Sequence, residues 1–297
     1  MMAATEILLH VRDYDLAATL DSGQAFRWQI CNDSWLGVIG QRWVCLTQGR
    51  DGIRAQTAGP VADWQWLRDY LQTDVDLAAV LKTFPDDAPM RDAGAACRGL
   101  RILRQDPWEC LASFILSSTK QIVQIRQIVT LLCERFGEPI NRCSVEPVAR
   151  FDSATGRTLQ FAFPSPEKIA RLTEADLRAC KMGFRAPHLL AAARQIAGGQ
   201  FDLERLRHLP QTEAREELMK LRGVGRKIAD CVLLFAYGFD GAFPVDVWIE
   251  RALQELYFPR RRASEKRLQK FAATHFGPHA GYAQQYLFHY MRTRQST

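Results

Sequence analysis

The sequence predicts an α+β fold, with an antiparallel sheet domain at residues 1–104 followed by a mainly α-helical domain at 105–297. Three observations carry this expectation. Residues 26–57 alternate short aromatic and β-branched stretches with turn residues. From about residue 105 onward, apolar residues return with helical period. A chain of 297 residues is long enough for two domains of ordinary size.

In the first part, "FRWQI", "WLGVI", "RWVCLTQ" and "GIRAQ" are separated by "CNDS", "GQ" and "GRDG". Such spacing predicts an antiparallel meander. "VADWQWLRDYL" and "DVDLAAVLKTF" then switch to helical period. "DPWECLASFIL" carries Pro near a helix start, and "TKQIVQIRQIVTLLCERFG" ends on Gly137. The stretch 139–165, with several Pro and Ser, reads as a loop crossing. Helices are expected at 166–181, 185–198, 211–221, 225–237, 246–257, 264–276 and 279–293. No fixed-period repeat and no low-complexity segment interrupts them.

Composition narrows the partners. At 47% hydrophobic and 24% charged residues, the chain has enough apolar surface for a real core. Its apolar runs are far shorter than the ~20 residues of a membrane helix, and no signal peptide is expected at the N-terminus. The eight cysteines stand at 31, 45, 97, 110, 133, 143, 180 and 231, with no CxxC pair. Neither a metal site nor an iron–sulfur cluster is therefore expected, and free thiols in a reducing compartment are the plain reading. The net charge is +6 with 31 Arg against 8 Lys. Arginine pairs with phosphate bidentately and stacks on bases, which suits nucleic acid. The run Arg260, Arg261 and Arg262 reads as solvated charge.

The stretch "TEAREELMKLRGVGRKIADCVLLFAY" is helix, two-glycine turn, helix. Gly223 and Gly225 permit close approach of another backbone, so the amides at the second helix start can meet one anion. Arg222 and Arg226 flank that position, and a DNA phosphate would fit it. A tight αα-turn with no ligand would use the same glycines. Lys227 lies in the first turn of the second helix, where the positive dipole end disfavours an ammonium. A neutral lysine amine is a nucleophile, whereas an exposed lysine there would bind phosphate. Asp246 in "PVDVWIERAL" is a natural N-cap and lies 19 residues after Lys227.

"LRGVGRKIADC" followed by "FPVDVW" resembles the helix-hairpin-helix/Gly-Pro-Asp superfamily of DNA glycosylases, with Arg222 in place of the usual proline. "SGQAFRW", "LRQDPWECLASFILSS", "MGFRA" and "GPHAGYAQQYLF" extend the likeness over nearly the whole chain. Together they resemble the 8-oxoguanine DNA glycosylase/lyase branch. Lacking any cysteine after 231, the chain departs from the iron–sulfur branches. The resemblance implies a TBP-like N-terminal sheet and base-excision repair of damaged double-stranded DNA. It also implies a monomer that needs no cofactor, although some family hairpins hold a structural monovalent cation. Such an enzyme would work in the cytoplasm (at the nucleoid) of a bacterium or in a eukaryotic nucleus.

The resemblance also assigns roles. Lys227 attacks the anomeric carbon and forms a Schiff base, and Asp246 stabilises the developing positive charge. The Gly23 carbonyl accepts the N7–H that distinguishes 8-oxoguanine from guanine. Cys231 lines one face of the base and pairs electrostatically with Lys227. Phe288 stacks on the other face, and Gln284 bonds the Watson–Crick edge. Taken without the likeness, Gly23 reads as a turn glycine and Phe288 as core.

Besides Arg222, four positions depart from the family pattern. Thr119 stands where an asparagine reads the orphaned cytosine, and Gln124 replaces an arginine. Phe184 replaces a tyrosine wedge beside a retained Arg185. Trp248 replaces a histidine. These departures leave room for another damaged base on the same scaffold. A DNA-binding module without chemistry is the third reading.

Overall fold

The computed structural model describes residues 4–140, 161–260 and 262–294. Cys143, Arg261 and most of the expected loop crossing lie outside them. Five strands form one antiparallel sheet: β1 (Ala4–Leu9), β2 (Gln29–Cys31), β3 (Ser34–Ile39), β4 (Arg42–Gln48) and β5 (Ile53–Ala58). Their order is β1-β5-β4-β3-β2. The expected meander is β2 to β5, and β1 adds a fifth strand through pairs such as Ile7 with Ala55. Side chains alternate across the pleat. Val44, Leu46, Ile53 and Ala55 face Leu16, Leu20, Leu67 and Leu71 of two short helices. Leu36, Val38, Trp43 and Cys45 form a smaller cluster. Of "FRWQI", only its end is strand. Phe26 turns away and packs edge-on against Phe114, with ring centroids 5.6 Å apart.

The helical part is one continuous core. Helices Pro107–Leu116 and Ile122–Phe136 precede the hairpin, and Val247–Tyr257, Glu265–His275 and Ala280–Arg294 follow it. The core also takes in Leu77, Val80, Met90, Ala93 and Cys97, which precede residue 105. Two expected helices differ in detail. Residues 166–181 form Pro166–Ala170 and Glu174–Arg178, because Thr173 and Asp176 build a capping box that starts a new helix. The helix expected at 225–237 is α-helical over Arg226–Val232 and a π-turn over Leu233–Tyr237. Helix Ala88–Ala96, capped by Asp87, was not anticipated.

The two parts meet around the turn Ser22–Gln24. The fully buried Gln24 donates to Thr19 O and Arg101 O, and its Oε1 accepts from Leu103 N. Gln105 donates to Gln24 O at 2.6 Å, and Gln285 donates to Ser22 O at 3.0 Å. Every bond in this set is buried. Losing one partner would strand the other, at a cost of ~1–3 kcal/mol.

Candidate active site

A cleft of about 810 Å³ opens at this junction, and it is lined by Gly23, Lys227, Cys231, Asp246, Gln284 and Phe288. Sequence positions more than 250 residues apart therefore face one space. Gly23 adopts φ +80°, and a Cβ there would meet Ile122 Cδ1 at 2.7 Å and Phe288 Cε1 at 3.4 Å. The positive φ selects glycine here, and a Cβ would also press on the Ile122 side chain while only touching Phe288. The bonds that brace the turn leave the Gly23 carbonyl unclaimed among the described residues.

Lys227 is half-buried in the first turn of its helix. Its Nζ donates to Ser117 Oγ at 3.1 Å and lies 5.3 Å from the centre of the Phe114 ring. Ser117 in turn donates to Phe114 O at 2.7 Å, so an oxygen lone pair is left for the amine. Asp246 caps the helix Val247–Tyr257, its Oδ1 accepting from Ile249 N at 2.9 Å. Burial raises its carboxyl above the usual aspartate range, against the pull of the Ile249 amide and the nearby Lys227. Asp246 is therefore both a cap and a wall of the cleft. Burial also pushes the Cys231 thiol up to about 12, with Lys227 acting the other way. At neutral pH Cys231 stands in the cleft as a thiol.

Gln284 is buried, and its Oε1 has no hydrogen-bond partner among the described residues. An acceptor left unmade at a cleft wall is costly unless a ligand's donor reaches it. Phe288 is half-exposed to the cleft, with the Arg292 guanidinium 5.6 Å from its ring centre. Trp248 and Lys120 also line the cleft.

Arg222–Gly225 of the hairpin do not line the cleft. Leu221, Val224 and Ile228 are buried and anchor it. Gly223 has φ +84°, and a Cβ there would fall 2.6 Å from His188 Cγ. Gly225 is extended and open, with nothing within 4 Å of a Cβ. Among the described residues, the amides of both glycines are without an acceptor. Arg222 and Arg226 are exposed beside them. Arg226 approaches the buried Asp230 at 3.7 Å, and Arg215 holds Asp230 at 2.6 Å.

The residues expected to face the opposite base are arranged differently. Phe184 is 56% exposed, as a wedge would be. Arg185 is turned inward and only 2% exposed. It donates to Ser118 O, to Thr119 Oγ1 at 2.5 Å and to Met182 O at 3.3 Å. Its guanidinium lies 4.2 Å from the Phe184 ring centre. Thr119 lines the cleft rim in a left-handed conformation, φ +55°. Gln124 does not line the cleft. Its side chain accepts from Gln121 N at 3.2 Å in a capping box. Sequence reasoning missed Ser117 and Phe114 as neighbours of Lys227. A serine ending an otherwise apolar helix, three residues after a phenylalanine, was the available signal.

Family models match the chain in two adjoining pieces. Residues 6–111 match the N-terminal domain of 8-oxoguanine DNA glycosylase. Residues 112–277, more than half of the chain, match the HhH-GPD superfamily of base excision DNA repair proteins. The chain belongs to the HhH-GPD superfamily. It is similar to other members over most of its length. The N-glycosylase/DNA lyase of Saccharomyces cerevisiae is 32% identical, over 82% of this chain and 68% of that protein. A probable N-glycosylase/DNA lyase of Methanothermobacter thermautotrophicus is 29% identical over 95% of each chain. The 8-oxoguanine glycosylase/lyase of Clostridium acetobutylicum, bound to DNA with cytosine opposite 8-oxoguanine, superposes with a TM-score of 0.86. It is 28% identical, covering 97% of this chain and 98% of that one. A 3-methyladenine DNA glycosylase of Archaeoglobus fulgidus, 20% identical, shares the fold with a TM-score of 0.77.

Proposed function

We propose that this protein is a bifunctional DNA glycosylase and abasic-site lyase that removes 8-oxoguanine from duplex DNA. The observation that carries the reading is the single cleft shared by Lys227, Asp246, Gly23 and the unpartnered Gln284 Oε1. A paired base is buried in the stack, so the damaged nucleotide must be flipped into this cleft. Gln284 Oε1 accepts from the N–H groups of the purine Watson–Crick edge. The free Gly23 carbonyl accepts the N7–H of 8-oxoguanine, whereas guanine presents only a lone pair there. Phe288 and Cys231 close on the two base faces.

Lys227 Nζ then attacks C1′ as the bond to the base breaks, and the base leaves with its electron pair. The Asp246 carboxylate stabilises the oxocarbenium charge that develops on the sugar. The C1′–O4′ bond then breaks as a proton passes from Nζ to O4′, leaving a protonated imine between Nζ and C1′. Removal of a C2′ proton expels the 3′ phosphate by β-elimination, and water hydrolyses the imine to free the lysine. These steps draw on Lys227, Asp246 and water. The hairpin amides of Gly223 and Gly225 with Arg222 and Arg226 hold a backbone phosphate. A monovalent cation on the hairpin carbonyls, a monomeric state and action at the nucleoid or nucleus belong to the same reading.

Borohydride trapping on a panel of lesion duplexes tests it. A covalent adduct on 8-oxoguanine DNA is expected, and Lys227→Gln is expected to lose both adduct and base release while still binding lesion DNA. Adducts confined to other lesions would move the assignment to another base. Normal trapping by Lys227→Gln would remove the lysine from the mechanism.

A further inference from the structure

We infer that the loop Ser117–Lys120 is a relay that lets the wedge turn at Phe184–Arg185 control the freedom of the Lys227 amine. The inference rests on the glycosylase reading above and assigns positioning roles to Ser117 and Thr119. The loop is gripped at both ends. On one side Arg185 donates to Ser118 O and to Thr119 Oγ1. On the other, Ser117 Oγ accepts from Lys227 Nζ at 3.1 Å. Between them Lys120 N closes a turn on Ser117 O at 3.2 Å. The grip therefore runs from wedge to nucleophile within four consecutive residues.

Two features make this a device with two states. Thr119 is a β-branched residue at φ +55°, a conformation that persists only where neighbours impose it. Arg185 grips the Thr119 hydroxyl, while the Lys120 N–Ser117 O turn closes around its backbone. Three of the five Arg185 N–H donors are engaged by Met182, Ser118 and Thr119, and at 2% exposure the guanidinium must turn out of this nest to meet a base across the duplex. The guanidinium also lies 4.2 Å from the ring centre of the exposed Phe184, so insertion of that ring into DNA carries the arginine with it. Once Arg185 leaves, Thr119 keeps only the Lys120 N–Ser117 O turn to hold its strained form. The loop relaxes, and Ser117 withdraws from Lys227. The amine is then free to approach C1′. A base opposite the lesion that fails to draw Arg185 out leaves Lys227 tethered.

Single-turnover excision of 8-oxoguanine opposite C, A, G and T tests the relay in wild type, Ser117→Ala, Thr119→Val and the double variant. Ser117→Ala is expected to lower the preference for C over A about tenfold, mainly by raising the rate opposite A. Thr119→Val keeps the side-chain shape but removes the acceptor, and is expected to lower the same ratio. The double variant should fall no further than the lower single variant, since both cut one connection. Equal slowing opposite all four bases would reduce Ser117 to a structural role and overturn the relay. So would additive effects of the two changes, or a wild type with no preference at all. Borohydride trapping at a preformed abasic site opposite each base reads Lys227 without base release. A chain that excises no 8-oxoguanine but keeps the opposite-base pattern of trapping would fail the substrate assignment and keep the relay.

Discussion

Asp246 caps a helix through Oδ1 and faces the same cleft as Lys227, so one carboxylate carries two interactions. Replacement by Asn separates them. Asn caps nearly as well as Asp, and its loss of charge removes the electrostatic role. We expect Asp246→Asn to change unfolding free energy by less than about 0.5 kcal/mol. Single-turnover excision should fall by roughly 10²-fold or more. A large stability loss with normal turnover would leave only the cap. The pH dependence follows from the raised carboxyl. The folded protein holds this proton more tightly than the unfolded chain. The stability this proton contributes is fully present below the ordinary aspartate range and is lost as pH rises through the raised value. Excision needs the charged form, so its acid limb should lie above the ordinary aspartate range and vanish in Asp246→Asn. At this scale much of the site could be read in advance. Spacings of four residues placed Lys227 with Cys231 and Gln284 with Phe288 on shared helix faces. The inward turn of Arg185 could not be read, because its acceptors Ser118 and Thr119 lie in a loop 66 residues away.

The hairpin shows that two glycines in one motif answer different constraints. Gly223 is left-handed, and the space its Cβ would need is filled by His188, whereas Gly225 is extended and open. Gly223→Ala is expected to cost roughly 1–2 kcal/mol for the backbone alone, before His188 is displaced. Gly225→Ala should stay within about 0.5 kcal/mol of wild type in urea unfolding. Any effect of Gly225→Ala should therefore appear in DNA affinity, because a methyl group there stands between the amides and a phosphate. Equal destabilisation by the two changes would show that the packing against His188 is not what selects glycine. The elements themselves were legible where period and punctuation agreed. Helix Val247–Tyr257 starts after its Asp cap as expected, and β3 and β4 follow their aromatic runs. Strand β1 was missed although Thr5, Ile7 and Leu9 turn to one side. It is an edge strand whose other side carries Glu6 and Leu8 to solvent, so its hydrophobic contrast is weak. The π-turn at Leu233–Tyr237 was invisible because an all-apolar run has the same pattern in either helix.

At the scale of the whole molecule, the proposed function assigns the two DNA strands to different parts of the fold. The damaged base would enter the cleft where the sheet's Gly23 turn meets the helices, and the opposite base would meet the Ser117–Lys120 loop and the Phe184–Arg185 turn. The first set is complete, whereas the second is depleted. Gln124 uses its Oε1 on a helix cap and does not line the cleft, Thr119 offers one hydroxyl already bonded to Arg185, and the buried Arg185 must turn away from three protein acceptors to reach a base. A good bidentate contact supplies ~1–3 kcal/mol of discrimination, and here part of that is spent on breaking the resting bonds. A single guanidinium fork working against that cost leaves a preference for cytosine of roughly 10- to 100-fold over adenine, at about 1.4 kcal/mol per tenfold. Arg185→Ala should bring the ratio close to one, because no other fork remains at these positions. Single-turnover excision opposite C, A, G and T measures both. A wild-type ratio beyond about a thousandfold corresponds to ~4 kcal/mol, which exceeds what Arg185 can supply. Lys120 on the cleft rim would then be the next side chain to replace.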